Sequence, residues 1–83
     1  MIRFWFEFYD PPKLSPLSIG CGITAVCADD AISILRECVD RGAGLKISKM
    51  IKAVDLSDLD QGHVIPNMGV VAIRGVWFPQ GFA

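Results

Sequence analysis

The sequence predicts a small α+β domain, in which a mostly antiparallel four-stranded sheet carries one helix on one face. Three observations support this fold class: an alternating apolar segment near the N-terminus, one segment with the apolar spacing of a helix, and glycine and proline residues between the apolar segments. The predicted order is β-β-α-β-β, for which one mostly antiparallel sheet is the simplest architecture. The chain has 83 residues, so we expect a single domain spanning residues 1–83.

Residues 2–9 predict the first strand, because phenylalanine and isoleucine alternate with other residues along Ile-Arg-Phe-Trp-Phe-Glu-Phe-Tyr. We expect the phenylalanine row to face the core, with Trp5 and Tyr9 on the opposite face. The proline pair that follows ends the strand, since proline cannot donate to a ladder. One helix covers only one side of such a sheet. The side with Trp5, Tyr9 and Trp77 must therefore be solvated, covered by loops or paired with a partner.

Residues 19–27 predict a second strand, in which Gly20 and Gly22 indicate a bulge or a close backbone approach. The helix that follows is predicted to begin at a cap provided by Asp29 or Asp30. Arg41 is expected in its last turn, where a cation suits the helix dipole, and Gly42 is expected to stop it. The apolar stripe of the helix consists of Ala31, Ile34, Leu35, Cys38 and Val39.

Residues 45–56 match the spacing of a helix or of a strand, and we favour a strand with Ile47, Ile51 and Ala53 on one face. Residues 57–69 are predicted to form a loop that ends in a turn at residues 67–69.

Residues 70–78 predict the last strand, with a bulge or bend at Gly75. Pro79 ends this strand for the same reason that prolines end the first one.

Composition and charge argue against several functional classes. The formal net charge is −1, and the densest cationic group, Lys46, Lys49 and Lys52, is too small to form the basic field that nucleic-acid binding requires. No apolar run approaches the roughly 20 residues of a membrane span, and Arg3 and Glu7 interrupt the apolar N-terminal segment, unlike in a signal peptide.

Three cysteines make a poor disulfide framework. We therefore expect reduced thiols and a cytoplasmic location.

His63 is the candidate acid–base residue, and Asp58 or Asp60 could orient its ring. The alternative interpretation is a loop histidine that fixes a turn. The sequence contains no recognisable pair of nucleophile and base, so no catalytic residue is assigned. The spacings of the cysteines and of His63 match no zinc pattern, so neither a metal site nor a cofactor is predicted.

Asp55, Asp58 and Asp60 form an acidic cluster with two interpretations. Aspartate favours turns because its side chain accepts hydrogen bonds from nearby backbone amides. Alternatively, the cluster is a negative patch that contacts a basic protein surface.

The sequence favours a non-enzymatic protein–protein interaction module. Its most concrete version is a small bacterial inhibitor of the immunity or antitoxin type, which blocks a basic toxin or enzyme through the acidic loop and exposed aromatic residues. The alternative is a homodimer that binds a small ligand or assists catalysis, with a pocket near His63. The predicted partner-binding residues are Asp55, Asp58, Asp60, His63, Asn67, Trp5, Tyr9 and Trp77.

Overall fold

The structure, a computed structural model, describes residues 1–12, 14–42 and 44–80. Its four strands are β1 (Ile2–Tyr9), β2 (Cys21–Ala25), β3 (Lys46–Lys52) and β4 (Gly75–Phe78). They form one sheet in the order β3-β1-β2-β4, and every neighbouring pair is antiparallel. The predicted fold class is confirmed: a four-stranded antiparallel sheet with one helix packed on it.

The helix α1 (Ala28–Ile34) continues without interruption into a π-helical segment at Leu35–Asp40. The predicted cap is wrong, because the residue at the N-cap position is Cys27. Asp29 and Asp30 lie in the first turn instead, where their negative charges suit the helix dipole. The carboxylate of Asp30 still satisfies a backbone donor, since it accepts a 3.0 Å hydrogen bond from the N–H of Val26.

The C-terminal end of the helix also differs from the prediction. Arg41 is the C-cap residue, with a left-handed φ of 47°, and its N–H donates to the carbonyl of Arg36. We expected Arg41 inside the last turn and Gly42 as the stop. Gly42 follows the C-cap with a positive φ of 87°, which agrees with its predicted role as the stop.

One side of the sheet is covered by this helix, which packs against β2 and β4. The predicted phenylalanine row of β1 faces this side and is buried. We call the buried set on this side the helix-side core; it consists of Phe4, Phe6, Phe8, Leu17, Cys21, Ile23, Ala25, Ala31, Ile34, Leu35, Val39 and Leu45.

The ambiguous segment forms the edge strand β3, as favoured from the sequence, but its faces differ from the prediction. The pairing with β1 shifts by one residue between Glu7 and Phe8, which leaves Ser48 without a partner. Such a bulge reverses the alternation of faces beyond it. Ile47 consequently packs on the helix-side core, while Ile51 packs on the opposite side of the sheet.

The predicted last strand starts five residues too early, because β4 begins at Gly75. Residues 71–74 form turns and bends, and the side chains of Val70 and Ile73 are exposed. Tertiary contacts hold this segment away from the sheet ladder. The Thr24 hydroxyl donates to the carbonyl of Val71 at 2.6 Å, and Arg74 pairs with Asp30.

The irregular segment 53–74, which begins at Ala53 with a left-handed φ of 58°, covers the second side of the sheet. Ala53 is exposed and lies outside β3, so it does not share a strand face with Ile47 or Ile51 as predicted. The buried set on this side, the loop-side core, consists of Trp5, Val54, Leu59, Val64, Trp77 and Phe78.

The aromatic face expected from the sequence is therefore mostly interior. Trp5 is 4% exposed and Trp77 is 1% exposed, whereas Tyr9 is 63% exposed. Of the three possibilities for this face, the structure has the loop cover. The prediction of Trp5 and Trp77 as exposed contact residues fails because the loop lies over both indole rings.

Gly20 and Gly22 are explained by the same two indole rings. A Cβ atom at Gly22 would overlap the ring of Trp77, and one at Gly20 would overlap the ring of Trp5. Gly20 also has a φ of 151°, which side chains rarely adopt. These glycines mark the close approach predicted for β2.

Candidate binding cleft around His63

The loop that covers Trp5 and Trp77 is shaped by two aspartates that accept backbone hydrogen bonds. Asp55 accepts from the N–H of Ser57 at 3.0 Å and from its hydroxyl at 2.9 Å, which starts the short 3-10 helix Leu56–Asp58. Asp60 accepts from the N–H groups of Gly62 and His63, at 2.8 and 3.0 Å. Two of the three aspartates of the predicted acidic cluster therefore form turns.

These hydrogen bonds keep both carboxylates ionised. Donation from the backbone of Gly62, followed by donation from the His63 ring, holds the pKa of Asp60 below its ordinary value. The backbone and hydroxyl of Ser57 lower the pKa of Asp55 in the same way. Hydrogen bonds to the charged form favour it over the protonated form.

The ring of His63 is oriented by Asp60. Its Nδ1 atom lies 3.0 Å from Oδ2 of Asp60, while 72% of the side chain is exposed. The backbone at His63 is held as well, because the amide of Asn67 donates to the His63 carbonyl at 2.7 Å. A histidine whose Nδ1 is bound by a carboxylate presents Nε2 to the outside with a defined orientation.

Beside this ring lies a cleft of about 380 Å³ with mostly apolar walls. Three chain segments form it: the 3-10 helix Pro16–Ser18 and the residue after it, the loop around His63, and the end of β4. Ser15 caps the first segment by accepting from the N–H of Leu17. The lining residues are Pro16, Ile19, His63, Asn67, Phe78, Pro79 and Gln80, and together they are called the His63 cleft.

Of the predicted site residues, the structure brings His63 and Asn67 into this cleft, with Asp60 behind the imidazole ring. Asp55 and Asp58 lie in the same loop but do not line the cleft. The other five lining residues were not predicted from the sequence; they are Pro16, Ile19, Phe78, Pro79 and Gln80. No local pattern marks them, because they meet His63 only through the chain fold.

A second cleft of about 380 Å³ lies between the helix and the start of β4. Its charged side chains are Glu37 and Arg74, and Arg74 is already bound to Asp30 through two hydrogen bonds. It differs from the His63 cleft because its lining carries both a cation and an anion.

None of the three cysteines lines the His63 cleft, whereas Cys38 lines the second cleft. Cys21 is buried, Cys38 is half-buried and Cys27 is exposed, and all three are free thiols. Burial raises the pKa of the Cys21 thiol to about 12, which makes it a poor nucleophile. Within residues 1–12, 14–42 and 44–80, no three histidine, cysteine or acidic side chains are grouped as a metal site requires.

Comparison with known proteins gives no family assignment. No protein-family model, curated protein or solved structure shows significant similarity to this chain. In the part of the chain that the structure describes, no helix has the length and apolar character to cross a membrane.

Proposed function

We propose that this protein is a non-enzymatic binding module that holds a small ligand in the His63 cleft. One observation carries the proposal: a histidine oriented by an ionised carboxylate lies at an apolar cleft. Ligand sites combine apolar walls, which bury the ligand, with a few placed polar groups that orient it. In this cleft, Phe78 and Pro79 provide apolar wall, and the imidazole of His63 provides a polar group that orients the ligand.

Binding is favoured over catalysis by the composition of the cleft. An Asp60–His63 pair could serve as a general base, but a reaction also needs a nucleophile or an activated substrate. Apart from the His63 imidazole, the seven described lining residues include no serine, cysteine, lysine or acidic side chain.

Titration of the ¹⁵N-labelled protein with benzamide, followed by NMR, tests this proposal. Benzamide should shift the amide signals of His63, Asn67 and Phe78 in one saturable process, because its ring fits the apolar walls. His63→Ala should weaken binding about fivefold through loss of one hydrogen bond. Glu37→Ala, in the second cleft, is the matched control and should leave the affinity unchanged. Shifts spread over the surface without saturation would refute the proposed site.

A second candidate function is the bacterial inhibitor of immunity or antitoxin type, for which the acidic loop is the relevant observation. Asp55, Asp58 and Asp60 are all exposed. Because Asp55 and Asp60 form turns, Asp58 is the carboxylate that remains for a basic protein partner. In this proposal, Tyr9 is the remaining exposed aromatic contact.

The inhibitor proposal is tested by capture from bacterial cytosol with quantitative mass spectrometry. A basic protein partner should bind the wild-type chain stoichiometrically and be lost with Asp58→Lys. Asp29→Lys has the same charge change on the helix and should retain the partner. Equal capture by all three baits would exclude the acidic loop as the contact.

We also propose that the protein is located in the cytoplasm. The exposed free thiol of Cys27 is consistent with a reducing compartment. The homodimer suggested by the sequence is not proposed through the Trp5 face, since the loop occupies that face.

A further inference from the structure

The hydrogen bonds around the His63 cleft indicate which ligand chemistry it accepts, if the cleft is the binding site proposed above. The side-chain amide of Asn67 donates to the carbonyl of His63 at 2.7 Å, and that of Gln80 donates to the carbonyl of Met68 at 2.6 Å. Because each amide nitrogen faces a carbonyl oxygen, the position of the oxygen within each amide is fixed. The oxygens Oδ1 of Asn67 and Oε1 of Gln80 accept no hydrogen bond from the described residues.

The imidazole of His63 has the same character. An ionised carboxylate can only accept, so Nδ1 of His63 carries the proton that is donated to Asp60. In the neutral imidazole, Nε2 then carries a lone pair and accepts a hydrogen bond. Each of the three polar side chains that line the cleft therefore offers an acceptor, and the amides of Asn67 and Gln80 each keep one further N–H besides the one that is donated.

The charges around the cleft also favour a ligand that donates hydrogen bonds. None of the seven described lining residues is a lysine or arginine. The carboxylate of Asp60 bonds directly to the His63 ring, which places a negative charge beside the cleft. A negative charge next to a group of acceptors attracts cationic donors and repels anions.

We propose that the His63 cleft binds a cation with N–H donors carried on a small apolar body, such as an amidinium, guanidinium or ammonium compound. The apolar body packs against Ile19, Phe78 and Pro79, and the N–H groups donate to the acceptors of His63, Asn67 and Gln80. A carboxylate ligand would bring a second negative charge toward the Asp60 carboxylate and would leave the acceptors of His63, Asn67 and Gln80 without a donor, so the cleft discriminates against anions.

Three probes with one ring and different head groups test this assignment: benzamidinium, benzamide and benzoate. By NMR titration at pH 7.5, benzamidinium should bind at least about tenfold more tightly than benzoate, with benzamide between them. The shifted amides should include His63, Asn67 and Gln80. A fourth probe, N-acetylarginine amide, distinguishes the source of the cation. Tighter binding than benzamidinium would identify a side chain of a protein partner, and weaker binding would identify a free small cation.

Variants separate the two proposals. His63→Lys replaces an acceptor by a cationic donor, so it should reverse the order of benzamidinium and benzoate, whereas Glu37→Lys should not. Tight binding of benzoate in the wild-type cleft would overturn the ligand class and leave the binding site intact. If none of the probes shifts the cleft residues, both the ligand class and the proposed site are overturned.

Discussion

The two sides of the sheet are covered in contrasting ways. On the helix side, one continuous helix at residues 28–40 presents a regular apolar stripe to β2 and β4. On the loop side, residues 53–74 cover Trp5 and Trp77 with short 3-10 turns and no regular repeat. The helix covers its side through apolar residues that recur with the helical period, whereas the irregular segment is held in place by individual hydrogen bonds.

Polar side chains hold the loop side together by bonding the backbone. Each one satisfies a donor or acceptor that a regular ladder would otherwise pair. The carboxylates accept from backbone N–H groups, and the amides donate to carbonyl oxygens. The residues with this role are Asp55, Asp60, Gln61, Asn67 and Gln80. The same bonds orient the His63 cleft, so the candidate site belongs to the irregular side.

The largest expected effect tests whether the loop side is a true core. Trp77→Ala should destabilise the protein by about 3–5 kcal/mol, because it removes a fully buried indole. Leu35→Ala, in the helix-side core, should cost about 2–5 kcal/mol. Both values follow from urea unfolding monitored by circular dichroism. A loss for Leu35→Ala alone would show that the loop is only a loosely attached cover.

Gly22→Ala is expected to have the next largest effect. Its Cβ would enter the space of the Trp77 ring, and such overpacking costs about 1–3 kcal/mol. Gly69→Ala is the control, since a Cβ there meets no atom closer than 3.7 Å, and it should change stability by about 0.5 kcal/mol or less. Equal unfolding free energies for the two variants would contradict the close approach of β2 to Trp77.

The salt bridge between Asp30 and Arg74 joins the helix to the residues before β4. The hydrogen bond from Arg74, followed by that from the backbone of Val26, lowers the pKa of Asp30 to about 2. An aspartate in the unfolded chain titrates near pH ~3.9. Because the folded pKa is depressed, this group stabilises the fold above pH ~4, and the contribution is lost as the pH falls toward 2.

Arg74→Gln should raise the pKa of Asp30 and flatten the loss of stability below pH ~4. The carboxyl ¹³C shift of Asp30 and urea unfolding between pH 5 and 2 measure both effects. Arg41→Gln removes an equal charge at an exposed C-cap and should leave the Asp30 titration unchanged. An unaltered Asp30 titration in Arg74→Gln would refute the role of this pair.

The smallest effect on stability is expected at the site itself. His63→Gln should change the unfolding free energy by about 0.5 kcal/mol or less, because the ring is largely exposed. Ligand binding should weaken in the same variant. A large loss of stability would show that His63 mainly serves to hold the loop.

The sequence predicted the regular parts of the fold. The alternation along β1 correctly placed Phe4, Phe6 and Phe8 in the core, because strand period is read directly from the sequence. The helix stripe was also correct, since Ala31 and Leu35 are buried. The start of β4 was wrong because Val70 and Ile73 are apolar yet exposed, and contacts distant in the sequence decide their position.

The site could be predicted only in part for a related physical reason. His63 was found because it is the one histidine of the sequence, and Asn67 because it lies in the same turn-rich segment. Pro16, Ile19 and Phe78 come from other segments and meet them only in the folded chain. Likewise, the burial of Trp5 depends on Val54 and Val64, about 50 residues or more away, which no local pattern connects to it.

The location of the tryptophans has a spectroscopic consequence. The chain has two tryptophans, both lie in the loop-side core, and their ring centroids are 6.0 Å apart. Indole emission therefore reports solvent entry on that side alone, while far-ultraviolet dichroism reports the helix and sheet. Coincident melting curves from the two signals would indicate that both layers unfold as one cooperative unit. An earlier change in emission would mean that the layer carrying the His63 cleft opens first. Tryptophan fluorescence would then be an intrinsic probe of cleft opening.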